Sequence, residues 1–219
     1  MDLLYTAHVP AGPGPFPTVV ALHGWGASAH DLLGLAPLIH RGEAVMLCPQ
    51  GPVSVPIQPG MSGYGWFPLG QGREPDATEV DAAAQALLEF IERAKRSFPV
   101  DPHKLVILGF SQGGVMAYRL ALDDPSRFSG LVALSSWLPD ALAAQQGPGP
   151  AFEDLPSLVM HGTEDPMIPV ARGQDSRDSL LRLGVPTVYR EYEMGHEINP
   201  EALRSLVGWL DEKIFAPLG

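Results

Sequence analysis

The run Leu105-Val106-Ile107-Leu108-Gly109-Phe110-Ser111-Gln112-Gly113-Gly114 passes from four apolar, strand-favouring residues into a serine flanked by glycines. The next stretch, Val115–Leu122, has the spacing of a helix. A strand that turns directly into a helix leaves little room at the corner. Glycines at 109 and 113 answer that need, because a Cβ there would collide with neighbouring backbone. The serine between them is expected in a strained conformation, with its hydroxyl exposed at the sheet edge. The first N–H groups of the helix then point towards it and favour negative charge developing nearby. A bare G-x-S-x-G is a weak pattern in a chain with 24 glycines. The strand before it and the helix after it supply the context that marks a nucleophile elbow.

Outward from this corner, short apolar runs alternate with amphipathic stretches. Thr18–Leu22, Ala44–Cys48, Lys104–Leu108, Gly130–Leu134 and Ser157–Met160 read as strands buried on both faces. Thr187–Glu191 is more polar and suits a place nearer a sheet edge, and Leu3–Val9 reads as an antiparallel edge strand. Thr78–Phe98 places Val80, Ala84, Leu87, Ile91 and Ala94 on one helical stripe, with Asp76 and Glu79 as a capping box. Val170–Leu183 and Pro200–Phe215 read as further helices. Such alternation predicts an α/β fold, a mostly parallel central sheet with helices on both faces. Residues 1–219 are expected to form one such domain. Two long stretches, Pro49–Asp76 and Ser135–Leu155, read as loops.

A serine hydroxyl needs a base to remove its proton and a carboxylate to orient that base. The α/β-hydrolase template places them in the chain order serine, acid, histidine. Asp165 follows the strand Leu158–Met160 in a proline-stiffened turn and is the candidate acid; its neighbour Glu164 is expected to face solvent. His196 lies after Thr187–Glu191, just before the last helix, and completes the order. The attacked carbonyl oxygen needs backbone donors. Gln112, next to the serine, is one. Trp25, between Gly24 and Gly26 on the loop after Val19–Leu22, is the other. Met61, Trp66, Phe67, Trp137 and Leu138 of the two long loops are candidates for an apolar acyl pocket, and each could equally be a core residue. His23 and His161 are read as fixing their own loops by hydrogen bonding, and Cys48 as a small core residue.

Composition sets outer limits. A formal net charge of −11 with no basic stripe argues against nucleic acid as a partner. There is no apolar run long enough for a membrane span and no signal-peptide pattern at the N-terminus. A single cysteine excludes an internal disulfide, and no histidine pair has metal-site spacing, so no catalytic metal is expected. A soluble, cytoplasmic protein is the expectation.

Taken together, Leu22-His23-Gly24-Trp25-Gly26, Gly109-Phe110-Ser111-Gln112-Gly113-Gly114, His161-Gly162 with Asp165 and Pro169, and Gly195-His196 resemble the phospholipase/carboxylesterase family of α/β-hydrolases, which includes bacterial carboxylesterases and acyl-protein thioesterases. Trp66-Phe67 is similar to that family's aromatic loop beside the substrate site. Two departures stand out: Trp25 where the family has Leu, and Ala27 where it has Asp. The resemblance implies an α/β-hydrolase fold with no large cap domain and cofactor-free hydrolysis of short- to medium-chain acyl esters, with a small-molecule acyl ester as substrate and, in many members, a homodimer. Lysophospholipase and acyl-protein thioesterase activities use the same triad and are the near alternatives. A non-catalytic binding protein on a hydrolase scaffold and a peptidase are more distant ones.

Overall fold

The computed structural model describes residues 2–69 and 75–215. In chain order the strands are β1 (Tyr5–His8), β2 (Phe16–Leu22), β3 (Val45–Pro49), β4 (Val53–Gln58), β5 (Met61–Gly65), β6 (Val100–Phe110), β7 (Gly130–Leu134), β8 (Ser157–Gly162) and β9 (Thr187–Tyr192). Seven of them form one sheet in the order β1-β3-β2-β6-β7-β8-β9. β1 runs antiparallel to β3, as an edge strand, and every other pairing in this sheet is parallel. β9 closes the opposite edge, which accounts for its more polar sequence.

The period of two along each strand divides the core into two layers. Val20, Leu22, Leu105, Ile107, Leu131 and Ala133 pack with the helices α1 (Ala77–Ser97), α2 (Gln112–Asp123) and α4 (Val170–Leu183). Their neighbours Val19, Ala21, Val106, Leu108, Val132 and Leu134 pack with α5 (Pro200–Leu210) and with Leu32, Ala36 and Ile39. Both faces of the sheet are therefore covered by apolar stripes. The Asp76 side chain accepts from the Thr78 N–H at the start of α1, and Asn199 accepts from the Ala202 N–H at the start of α5. Gly184, at φ 92°, ends α4 in the left-handed region that favours glycine.

The stretch Pro49–Asp76 is not a plain loop. β4 and β5 pair antiparallel across Pro59-Gly60, bridging Val53 to Gly65 and Gln58 to Met61. The signal was present: Val53, Val55 and Ile57 alternate up to a Pro-Gly turn. Ser135–Leu155 likewise contains the short helix α3 (Asp140–Ala144) and a 3₁₀ turn, Pro150–Phe152. These are the additions to the α/β frame between β3 and β8, and no cap domain lies among the described residues. No helix among them is long and apolar enough to cross a membrane.

β2 is flanked by β3 on one side and β6 on the other, so the winding direction reverses beside it. A crevice opens at such a reversal, outside the carboxyl ends of the strands. The loops after β2, β6, β8 and β9 meet there.

Candidate active site

Ser111 stands between β6 and α2 with φ 53° and ψ −121°, outside the regions that L-residues ordinarily occupy. Its N–H donates to the Leu134 carbonyl at 2.9 Å, and its carbonyl accepts from the Ser136 hydroxyl at 2.7 Å. The flanking glycines are a steric requirement. A Cβ on Gly109 would lie 2.1 Å from the Gly113 carbonyl oxygen, and one on Gly113 would lie 2.0 Å from that of Leu22. β2, β6 and α2 thus close on one another through bare backbone.

Asp165 lies beyond β8, its side chain fully enclosed. Oδ1 accepts from the Met167 and Ile168 N–H groups, each at 2.9 Å, and Oδ2 lies 2.7 Å from His196 Nδ1. Burial pushes the carboxyl up, but the bonds from Ile168, His196 and Met167 outweigh it and hold Asp165 below the ordinary carboxylate value. Since Asp165 is ionised, His196 must donate from Nδ1, which leaves Nε2 as the acceptor. The His196 ring packs against Phe110 with centroids 4.9 Å apart. Glu164 is exposed, as expected.

His161 is completely buried beneath this loop. Its Nε2 lies 2.9 Å from the Ile168 carbonyl oxygen, so it carries the proton, and 3.6 Å from Asp165 Oδ2. Its Nδ1 has no hydrogen-bond partner among the described residues and faces Gly173, where a Cβ would lie 2.6 Å away. His23 is fixed in the opposite tautomer: Nδ1 donates to the Gly24 carbonyl at 2.7 Å and Nε2 accepts from the Gly51 N–H at 3.0 Å. Burial lowers its proton affinity. Both histidines brace the loops after β8 and β2.

The N–H groups of Trp25 and Gln112 make no hydrogen bond among the described residues. Gly26, at φ 80°, turns the chain just after Trp25, and its N–H donates to Tyr64 on β5 at 2.9 Å. The Gln112 side chain turns away from the sheet crevice. Its Oε1 accepts from the Trp66 N–H at 2.8 Å and its Nε2 donates to the Phe67 carbonyl at 2.6 Å. The Trp66 indole N–H donates to the His23 carbonyl at 2.9 Å. The hairpin β4–β5 and the segment after it therefore clamp the two loops that carry the candidate oxyanion donors.

A cavity of about 440 Å³ brings Trp25, Ser111, Gln112, His196 and Trp137 together. Its other walls include Leu32, Leu69, Met167, Ile168 and Ile198. Of the five residues expected in an acyl pocket, Trp137 alone is among its lining. Trp66, Phe67 and Leu138 are buried in the core, the first two as the Gln112 clamp, and Met61 is half exposed on β5. Leu32, Ile168 and Ile198 went unread because the apolar periodicity of a sequence does not separate a cavity wall from a core position. Cys48 is buried on β3 with its thiol pushed up to about 12 by burial, which leaves it protonated and inert. Among the described residues no group of three or more His, Cys, Asp and Glu is placed to hold a metal ion.

The model of the phospholipase/carboxylesterase family matches residues 10–214. The chain is 29% identical to acyl-protein thioesterase 1 of Gibberella zeae, over 94% of each chain, and 28% identical to acyl-protein thioesterase 1 of Cryptococcus neoformans, over 90% of this chain and 92% of that protein. Among solved structures, Arabidopsis thaliana SOBER1 is 26% identical with a TM-score of 0.75, over 90% of this chain and 98% of that one. Esterase PE8, 24% identical, has the same fold, with a TM-score of 0.83 over 97% of this chain and all of the other.

Proposed function

The chain belongs to the phospholipase/carboxylesterase family of hydrolases and is a carboxylic ester hydrolase, and from that premise we propose that it is a serine carboxylesterase of short- to medium-chain acyl esters working through Ser111, His196 and Asp165. His196 Nε2 takes the proton as Ser111 Oγ attacks the ester carbonyl. The negative charge on the carbonyl oxygen is met by the N–H groups of Trp25 and Gln112. Collapse of the tetrahedral intermediate breaks the bond to the alcohol oxygen, which leaves with the proton from His196. Water then enters, gives its proton to His196 and repeats the attack on the acyl-enzyme. The second collapse returns the proton to Ser111 and releases the carboxylic acid. Asp165 keeps His196 in the Nδ1–H tautomer and balances the imidazolium at each stage.

The observation that carries this reading is the 2.7 Å contact from His196 Nδ1 to Asp165 Oδ2 at the edge of the cavity that Ser111 and His196 line. No cofactor enters the scheme, and we treat the whole chain as one hydrolase domain. Acyl-protein thioester hydrolysis is the second reading, favoured by the names of the curated relatives. The same residues would serve it, with a thiolate as leaving group.

A panel of p-nitrophenyl esters of increasing acyl length, an acyl thioester and a lysophospholipid tests the choice. The carboxylesterase reading predicts the highest kcat/KM on the short to medium oxoesters, all of it lost in Ser111→Ala. A preference of tenfold or more for the thioester would replace it with the second reading.

A further inference from the structure

The cavity holds a charge that the hydrolytic chemistry does not use. Asp31 lines it, while no other carboxylate and no Lys or Arg does among the described residues. Its Oδ2 accepts from the N–H and the hydroxyl of Ser28, the latter at 2.9 Å, so the carboxylate is held in one direction. Asp31 enters no ion pair among the described residues. Trp25 and Trp137 share the same lining, and the remaining walls are largely apolar. A carboxylate without an ion-pair partner and two tryptophans, in a lining that carries no Lys or Arg among the described residues, is the chemistry that accepts an ammonium group.

We propose that Asp31, Trp25 and Trp137 form a cation-accepting subsite, so that the enzyme selects esters carrying an ammonium group on one arm and disfavours those carrying a carboxylate. This rests on the esterase reading above. An ammonium near Asp31 gains Coulomb attraction and an aromatic face, and a carboxylate meets like charge without a compensating donor. Asp31 is exposed to solvent, so the attraction is partly screened and the selectivity is modest. By this account Asp31 does more than hold its turn, because the turn needs only an acceptor for Ser28 and the carbonyl of an asparagine supplies that.

The test compares butyrylcholine with its neutral isostere 3,3-dimethylbutyl butyrate, and p-nitrophenyl butyrate with the p-nitrophenyl monoester of succinic acid. For the wild type, kcat/KM is expected to favour the choline ester over the isostere about three- to tenfold, chiefly through KM, and to disfavour the succinate monoester by a similar factor. Both ratios should shrink at 1 M salt and approach one in Asp31→Asn, while Asp31→Glu should retain part of each. Thermal melting of the variants confirms that they are folded. Ser111-dependent hydrolysis of the neutral ester with no choline preference, or a preference unchanged in folded Asp31→Asn, would overturn this proposal alone. Failure to hydrolyse any of the four esters would overturn the esterase reading and the subsite with it.

Discussion

The elbow after β6 and the turn after β8 both deliver one candidate catalytic side chain to the same crevice, and they hold it by different forces. Ser111 is fixed by excluded volume: its backbone is strained, and bare glycines at 109 and 113 sit against carbonyl oxygens. Asp165 is fixed by hydrogen bonds, two from backbone N–H groups and one from His196, with His161 bracing the turn from beneath. Steric fixing is indifferent to pH and intolerant of an added methyl group. Fixing by hydrogen bonds tolerates isosteric change in shape but depends on charge. Substitutions in the two regions should therefore fail in different ways.

The largest effect separates chemistry from folding. Asp165→Asn keeps acceptors for Met167 and Ile168 but presents an amide to His196 and favours the wrong tautomer. It should lower kcat by about 10⁴-fold with little change in melting temperature. Glu164→Gln should keep most of the activity, and a greater loss there than in Asp165→Asn would reassign the acid.

At the elbow the loss is structural. Gly113→Ala puts a Cβ 2.0 Å from the Leu22 carbonyl oxygen, against backbone that cannot yield cheaply. Denaturant unfolding should show destabilisation of about 3 kcal/mol or more, or no folded protein at all. A stably folded Gly113→Ala would contradict the steric account.

A smaller effect is expected beneath the acid turn. His161→Leu removes the donor to the buried Ile168 carbonyl, while His161→Gln can restore one. We expect kcat to fall about tenfold in the first, with KM little changed, through a displacement of Asp165, and to recover substantially in the second. Equal activity in both variants would make His161 a packing residue only.

The smallest effect is on stability at low pH. Asp165 is held below its ordinary value, so its charge stabilises the folded state above about pH 4, the unfolded carboxylate range, and that contribution is lost as the pH falls through the lower folded value. The small stability difference between wild type and Asp165→Asn should shrink as the pH is lowered below 4. A difference that grew on acidification would reverse the sign assigned here.

The same contrast explains what the sequence reveals. Ser111 is legible because its constraint is local: ten consecutive residues carry strand, corner and helix. Asp165 and His196 are legible because chain order and strand ends limit where an acid and a base can stand. The cavity walls are not, because they are assembled from loops far apart in the chain. Leu32, Leu69, Trp137, Ile168 and Ile198 come from separate places, and nothing local says which apolar residue faces the space. Trp66 and Phe67 show the consequence: their sequence fits a pocket wall and a core position equally, and in the fold they are buried, with their backbone clamping the Gln112 amide. The hairpin β4–β5 lay within reach through its alternating valines and Pro59-Gly60, but its length and glycine content read as a loop.

The central claim is that Ser111 carries the acyl group. Rapid-quench mass spectrometry of the protein mixed with a p-nitrophenyl ester tests it most directly. The account predicts an acyl adduct of one group per chain, mapped to the peptide containing Ser111 and absent from Ser111→Ala. An adduct on another residue, or turnover that persists in Ser111→Ala, would contradict it.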